Sequence, residues 1–236
     1  GMNGAVSYST NAISWSDVYS QDHRVWLYDV IFANSRYVAV GVGGMIVSST
    51  NLRDWQQAIT NTKSWLTSIS YGNGVFISSG AGGTLLKSHD GLVWQSESSP
   101  TQEWLSTVRF VNNKFIAVGS SGEILNSDAG ESWQALSSPT KNWLYGVSYG
   151  AGRYTVVGDN STVLSSVDGR NWFTVKHKLP KHITFRSIIY ANNQFVLVGA
   201  HGLIATSRDG LNWQKQDSTT KRGLYSITYY NPEITP

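Results

Sequence analysis

Trp26, Trp65, Trp104 and Trp143 stand 39 residues apart, and three of them close near-identical polar segments: "TNTKSW" (60–65), "SPTQEW" (99–104) and "SPTKNW" (138–143). An aromatic face ringed by Thr, Lys, Gln and Asn suits a sugar, whose apolar C–H face stacks while its hydroxyls take hydrogen bonds. On that reading the candidate ligand-binding residues are Trp26, Trp65, Trp104 and Trp143, with Lys63, Gln102, Lys141 and Arg24 as polar neighbours. The competing reading makes the same tryptophans wedges between structural units. Thr184 and Gly223 occupy the equivalent position in the fifth and sixth copies. Losing a large aromatic from a filled core costs about 3–5 kcal/mol, so this tolerance points to a partly exposed surface position.

Other constellations carry less chemistry. The stretch 170–186, "RNWFTVKHKLPKHITFR", has Lys, Arg and His but no acid, and forms a basic lobe open to an anionic glycan, to nucleic acid or to solvent alone. His177 and His182 have no carboxylate or cysteine nearby in sequence, so no metal site is expected. "GVGG" (41–44) and "GAGG" (80–83) precede no helix, which removes a phosphate-loop reading. Acids near these loops are few, namely Asp17, Asp22, Glu97, Glu103 and Asp217. No catalytic residue and no cofactor are expected.

The elements that position these residues repeat. "SHDGLVW" ends at Trp94, "SDAGESW" at Trp133, "SVDGRNW" at Trp172 and "SRDGLNW" at Trp213; eroded copies "STNLRDW" and "STNAISW" end at Trp55 and Trp15. A fixed period of this size marks a repeat architecture. The units run 26–64, 65–103, 104–142, 143–183 and 184–222, with a sixth made of 223–236 plus 1–25. In 104–142, "LSTVRF" reads as a strand, "VNN" as a turn, "KFIAVG" as a strand buried on both faces, "EILNS" as a third strand and "WQALS" as a polar fourth. Ser127 and Asp128 are expected to bond backbone N–H groups in the turn closed by Gly130. Four short antiparallel strands per unit make a propeller blade, and a polar outer strand protects its edge.

Aligning Trp15 with Trp55 places Asn3-Gly4 on Gly43-Gly44; aligning Leu224 with Leu105 places "EITP" (233–236) on "KFIA" of a second strand. The expectation is all-β: one domain, 1–236, a six-bladed β-propeller of four-stranded antiparallel blades whose N- and C-terminal strands share the sixth blade.

Composition narrows the classes. The 236 residues are 40% hydrophobic and 14% charged, which describes a folded chain. Cysteine is absent, so disulfides, thiolate metal sites and cysteine catalysis are excluded. A net charge of +3 is too weak to argue for nucleic acid. No apolar run is long enough to span a membrane, so no membrane insertion is expected. If Met2 is the natural start, no signal peptide is visible, leaving cytoplasmic and leaderless secreted locations open.

The phrase with Ser88, Asp90, Gly91 and Trp94 resembles the Asp-box, or bacterial neuraminidase repeat, S-x-D-x-G-x-x-W, with one residue fewer between Asp and Gly. "NNKFIAVG" and "NNQFVLVG" strengthen the resemblance to uncharacterised bacterial propellers of this kind. The family is similar across sialidases, the photosystem II assembly factor and lectin-like propellers. The resemblance implies that the box is a structural turn away from the binding face. It also raises a sialidase-like glycoside hydrolase. That chemistry needs three convergent arginines, a Tyr–Glu pair and a loop acid; only "TFRS" (184–187) echoes the arginine motif, and the units lack pocket-building insertions. The chain therefore reads as a non-catalytic monomer, with a lectin-like glycan binder as the main expectation and a propeller gripping a protein partner as the alternative.

Overall fold

The computed structural model describes residues 1, 4–11, 13–19 and 25–229. Among them the structure is all-β. The first pair is β1 (Val6–Tyr8) and β2 (Ser16–Tyr19), which form a two-stranded antiparallel sheet. Five four-stranded sheets follow, each ordered as its strands occur in the chain. They are β3 (Leu27–Ala33), β4 (Arg36–Gly41), β5 (Ile46–Ser49) and β6 (Gln56–Gln57); then β7 (Leu66–Gly72), β8 (Val75–Gly80), β9 (Leu85–Ser88) and β10 (Gln95–Ser96). Next come β11 (Leu105–Val111), β12 (Lys114–Gly119), β13 (Ile124–Ser127) and β14 (Gln134–Ala135), and β15 (Leu144–Gly150), β16 (Arg153–Gly158), β17 (Val163–Ser166) and β18 (Phe173–Thr174). The last is β19 (Phe185–Ala191), β20 (Gln194–Gly199), β21 (Ile204–Ser207) and β22 (Gln214–Gln216). Helix is limited to one-turn 3-10 segments such as Val42–Gly44, Ala81–Gly83, Ser120–Gly122 and Ala200–Gly202.

Local chemistry explains the strand pattern. The first and second strands of each four-stranded sheet join through two left-handed residues, for example Asn73 and Gly74 or Asn112 and Asn113. Positive φ at both central positions is what a two-residue hairpin with native twist demands. The second and third strands are the most buried: β8 is buried at all six positions, and β5, β13 and β17 at all four. The fourth strands shrink to two or three mostly polar, exposed residues, shorter than "WQALS" suggested. Trp133 precedes its strand because its side chain is buried, with the indole N–H donated to the Gly130 carbonyl at 3.1 Å.

The chain divides into two compact units, 1–117 with 127–134 and 118–126 with 135–236. In the first, Val38, Val40, Ile46, Leu66, Ile69, Phe76, Leu86 and Trp94 make one core, and Leu27, Ala39 and Val47 pack with Val6, Tyr19 and Trp55 in another. In the second, Val157, Val163, Phe185, Ile188, Phe195, Leu197 and Trp213 share a core.

The repeated turn is built as a hydrogen-bonded cap. Asp168 Oδ1 accepts from the N–H groups of Arg170 and Asn171, both at 2.8 Å, and the Ser166 hydroxyl accepts from Gly169 N–H at 2.9 Å. Ser88–Asp90 and Ser207–Asp209 repeat the pattern. Asn51 and Asn11 do the same work with an amide oxygen in the two eroded copies. Asp128 departs from expectation. It stands one residue early, Ala129 takes the capping position, the Ser127 hydroxyl donates to the Glu131 carbonyl, and Asp128 accepts from Asn73 only through its main chain.

The sixth repeat is described in part. β1 and β2 occupy the register of third and fourth strands, whereas residues 224–229 form no strand; "EITP" lies outside the described residues.

Candidate functional site at the heads of the innermost strands

Each head tryptophan is set by its neighbours rather than by its own packing. The residue after it is buried: Leu27, Leu66, Leu105 and Leu144 are all at most 7% exposed. Its carbonyl accepts from the turn of the same sheet, as in Val42 N–H to Trp26, Ala81 N–H to Trp65 and Asp159 N–H to Trp143, at 2.8–2.9 Å. The glycine ending the second strand faces that carbonyl so closely that a Cβ at Gly41, Gly80 or Gly158 would lie 2.0–2.2 Å from the oxygen. Fixed from behind, the indoles face solvent. Trp26 is 47% exposed, Trp65 45% and Trp143 36%, and Trp104 is half-buried, whereas the turn tryptophan Trp94 is 3% exposed.

The near-identical loops ahead of them have a structural cause. Thr62, Thr101, Thr140 and Thr220 accept through their hydroxyls from the N–H two residues on, at 3.0–3.1 Å. Ser99, Ser138 and Ser218 donate to the carbonyls of Thr101, Thr140 and Thr220. These loops are therefore spelled by their own turns. Lys63, Gln102 and Lys141 lie outside this capping, exposed, each two residues before its tryptophan. Arg24 holds the same register position but lies outside the described residues. His182 and Lys221 continue the position, the first bonded to Asn160 at 2.7 Å.

Sequence reading missed the residue two places after each head. In β3, β7, β15 and β19 the ladder skips one residue, leaving Tyr28, Thr67, Tyr145 and Arg186 unpaired in β-bulges. A bulge re-aims the side chain it carries. In the first unit this produces an aromatic row: Tyr28 stacks beside Trp65 with centroids 6.3 Å apart, and Trp65 meets Trp104 edge-on at 5.7 Å. In the second unit Trp143 stacks on Tyr145 at 5.9 Å, and the Arg186 guanidinium lies over Tyr145 at 4.8 Å and Tyr225 at 5.7 Å. Burial, then the neighbouring Asp159 carboxylate, pushes the Tyr145 phenol up from its ordinary value. Once one bulge is known, the repeat register locates the others.

The remaining candidates are occupied otherwise. His177 bonds the Ser161 carbonyl at 2.9 Å and accepts from Leu179 N–H, which pins the basic lobe down around the buried Leu179. No cluster of three metal-ligating side chains exists among the described residues. Asp17 accepts from Ser7, and Asp22 lies outside the described residues. Glu97 lines a groove of about 330 Å³ with Lys87, Asp90 and Glu131, at a turn rather than at the strand heads. Burial raises its carboxyl, with Lys87 opposing and Glu131 adding to the shift. A separate polar tie in the first unit joins three innermost strands: Asp29 Oδ2 accepts from Ile69 N–H, the Ser68 hydroxyl and Arg109, at 3.0–3.2 Å.

Repeated four-stranded antiparallel sheets, buried second strands and short polar outer strands define a β-propeller. Among solved structures, the chain is similar to YCF48 from Cyanidioschyzon merolae, with a TM-score of 0.77 and 13% identity over 98% of this chain and 84% of that one. It is also similar to YCF48 bound to D1 peptide, with a TM-score of 0.58 and 16% identity over 88% of this chain and 86% of that one. No family model matches the chain, and no curated protein matches it in sequence. The likeness is one of fold, and it fits the resemblance to assembly-factor-like propellers.

Proposed function

We propose that this chain is a non-catalytic binding propeller that docks a protein partner, as a peptide segment, on the heads of its innermost strands. The observation that carries the reading is the exposed aromatic row of the first unit, Tyr28 and Trp65 beside Trp104, on backbones fixed by the turn bonds behind them. Large exposed aromatics grouped together mark interaction sites, and Trp, Tyr and Arg are the residues that dominate binding energy. A glycan platform would use the same rings. The solved neighbour carrying a peptide supports the protein reading instead.

In the same reading, residues 1–236 form one six-bladed domain, with 223–236 and 1–25 sharing the last blade. Support comes from the repeat register and from β3, where Val30 is 51% exposed although its counterparts Ile69, Val108, Val147 and Ile188 are at most 5% exposed. That face of β3 is one that a closing blade would cover.

A random-peptide display selection tests the function. Selected peptides bind wild-type protein and lose about tenfold or more in affinity on Trp65→Ser, the scale of a central aromatic anchor. Selection of no peptide, together with specific retention on a glycan array, would return the reading to a lectin.

A further inference from the structure

We propose that Arg186 is the specificity-determining residue of the strand heads in the second unit and reads a carboxylate on an acidic peptide; the inference rests on the peptide-docking reading above. The two repeats that lack a head tryptophan are the ones bearing Thr184 and Gly223, and Arg186 and Tyr225 stand two residues after those positions. Arg186 is the bulged residue of β19, so the skip in the ladder turns its side chain out of the sheet. The guanidinium then lies over two rings, Tyr145 at 4.8 Å and Tyr225 at 5.7 Å. One of its five N–H donors is shared with the Tyr145 hydroxyl, and the planar fork keeps further donors for a carboxylate, whose geometry it matches.

The nearby acid does not consume this capacity. Asp159 accepts from the Tyr145 hydroxyl at 3.1 Å and from the Thr184 hydroxyl at 2.6 Å, so both of its oxygens are engaged in holding the wall on which Arg186 rests. Among the described residues no carboxylate forms an ion pair with Arg186. Thr184 thus replaces a bulky indole with a hydroxyl that orients Asp159, and the substitution makes room for the cation.

One fixed guanidinium with one carboxylate in its support matches a monoanion better than a dianion, because Asp159 repels the second charge. A side-chain or terminal carboxylate is therefore favoured over a phosphate. Lys181, Lys221 and Arg222, exposed on the loops leading to the same strand heads, add a positive field that speeds encounter with an acidic segment.

Two peptide display libraries, identical except for Asp or Glu against Asn or Gln at one central position, test this directly. Wild-type protein is expected to enrich peptides from the acidic library. Those peptides should then lose about tenfold or more on Asp→Asn or on Arg186→Gln. Arg186→Lys, which keeps the charge but loses the planar fork, recovers only part of the loss. Tyr225→Leu, at a side chain 75% exposed and so without risk to folding, lowers affinity roughly two- to fivefold. Equal enrichment from both libraries, or an acid preference that survives Arg186→Gln, overturns the assignment while leaving peptide docking intact. Enrichment from neither library removes the docking reading and this one with it.

Discussion

Gly80→Ala measures how the strand heads are held. Gly80 has extended backbone, so its conformation suits any residue, but an added Cβ would lie 2.0 Å from the Trp65 carbonyl oxygen, 2.9 Å from its carbon and 3.1 Å from Leu66 Cα. All three are main-chain atoms that cannot swing away. Relief requires the heads of β7 and β8 to part, which breaks the bond from Ala81 N–H to Trp65. A lost buried backbone bond costs about 1–3 kcal/mol and overpacking about 1–3 more. A total of about 4 kcal/mol lowers Tm by about 8–16 °C in a chain of this size. The control is Gly82→Ala two residues on. Gly82 has φ +64° with nothing within 4 Å of a Cβ, so the expected cost is the left-handed backbone alone, about 1–2 kcal/mol. Scanning calorimetry ranks the two melts, and near-UV circular dichroism reports displacement of Trp65 in Gly80→Ala only. Equal melts, or greater damage from Gly82→Ala, would show that backbone conformation rather than close approach dictates these glycines.

Trp94→Ala, at a side chain buried against Phe76, is expected to destabilise by about 3–5 kcal/mol in urea denaturation. Trp65→Ser should cost less than Trp94→Ala while removing peptide binding; the reverse order would restore the wedge reading. The Asp168 carboxyl is held well below the ordinary carboxylate range by Asn171 and Arg170 N–H groups and the Asn171 and Ser166 side chains. Its stabilisation is therefore complete above the unfolded value of about 4 and is lost as pH falls below it. Asp168→Asn should flatten the acid limb of stability against pH yet keep the turn, as Asn51 does, whereas Asp168→Ala loses the turn at every pH; an acid limb unchanged in Asp168→Asn counts against this. Asp29→Ala strips Ile69 N–H and Arg109 of their shared acceptor and should cost about 1–3 kcal/mol, part of it recovered by adding Arg109→Met. No recovery in the double variant would mean that the unpaired cation is not the source of the loss.

The blades were legible because each rests on local rules that recur. Asparagine and glycine pairs name the hairpins, apolar runs name the buried second strands, and the Ser–Asp–Gly phrase names the outer turn. Asp128 misled because spacing relative to Trp133, not residue type, decides which side chain caps, and that turn is shifted by one residue. β10, β14 and β22 start one residue late because Trp94, Trp133 and Trp213 are buried instead of opening the ladder.

The site was only half legible, for a reason rooted in β-geometry. Alternation along a strand assigns each side chain to one face, and on that rule Tyr28, Tyr145 and Arg186 are ordinary strand residues. A bulge suspends the rule for one residue, and nothing in the composition of "LYD", "LYG" or "FRS" announces one. What the sequence does contain is the glycine at the end of the neighbouring strand, which lets the two backbones approach where the ladder skips. Glycine and bulge together turn the heads of β3, β7, β15 and β19 into fixed mounts. What is mounted then varies from repeat to repeat, Tyr28 and Thr67 in the first unit and Tyr145 and Arg186 in the second, so that a fold repeated almost unchanged still offers chemically distinct strand heads.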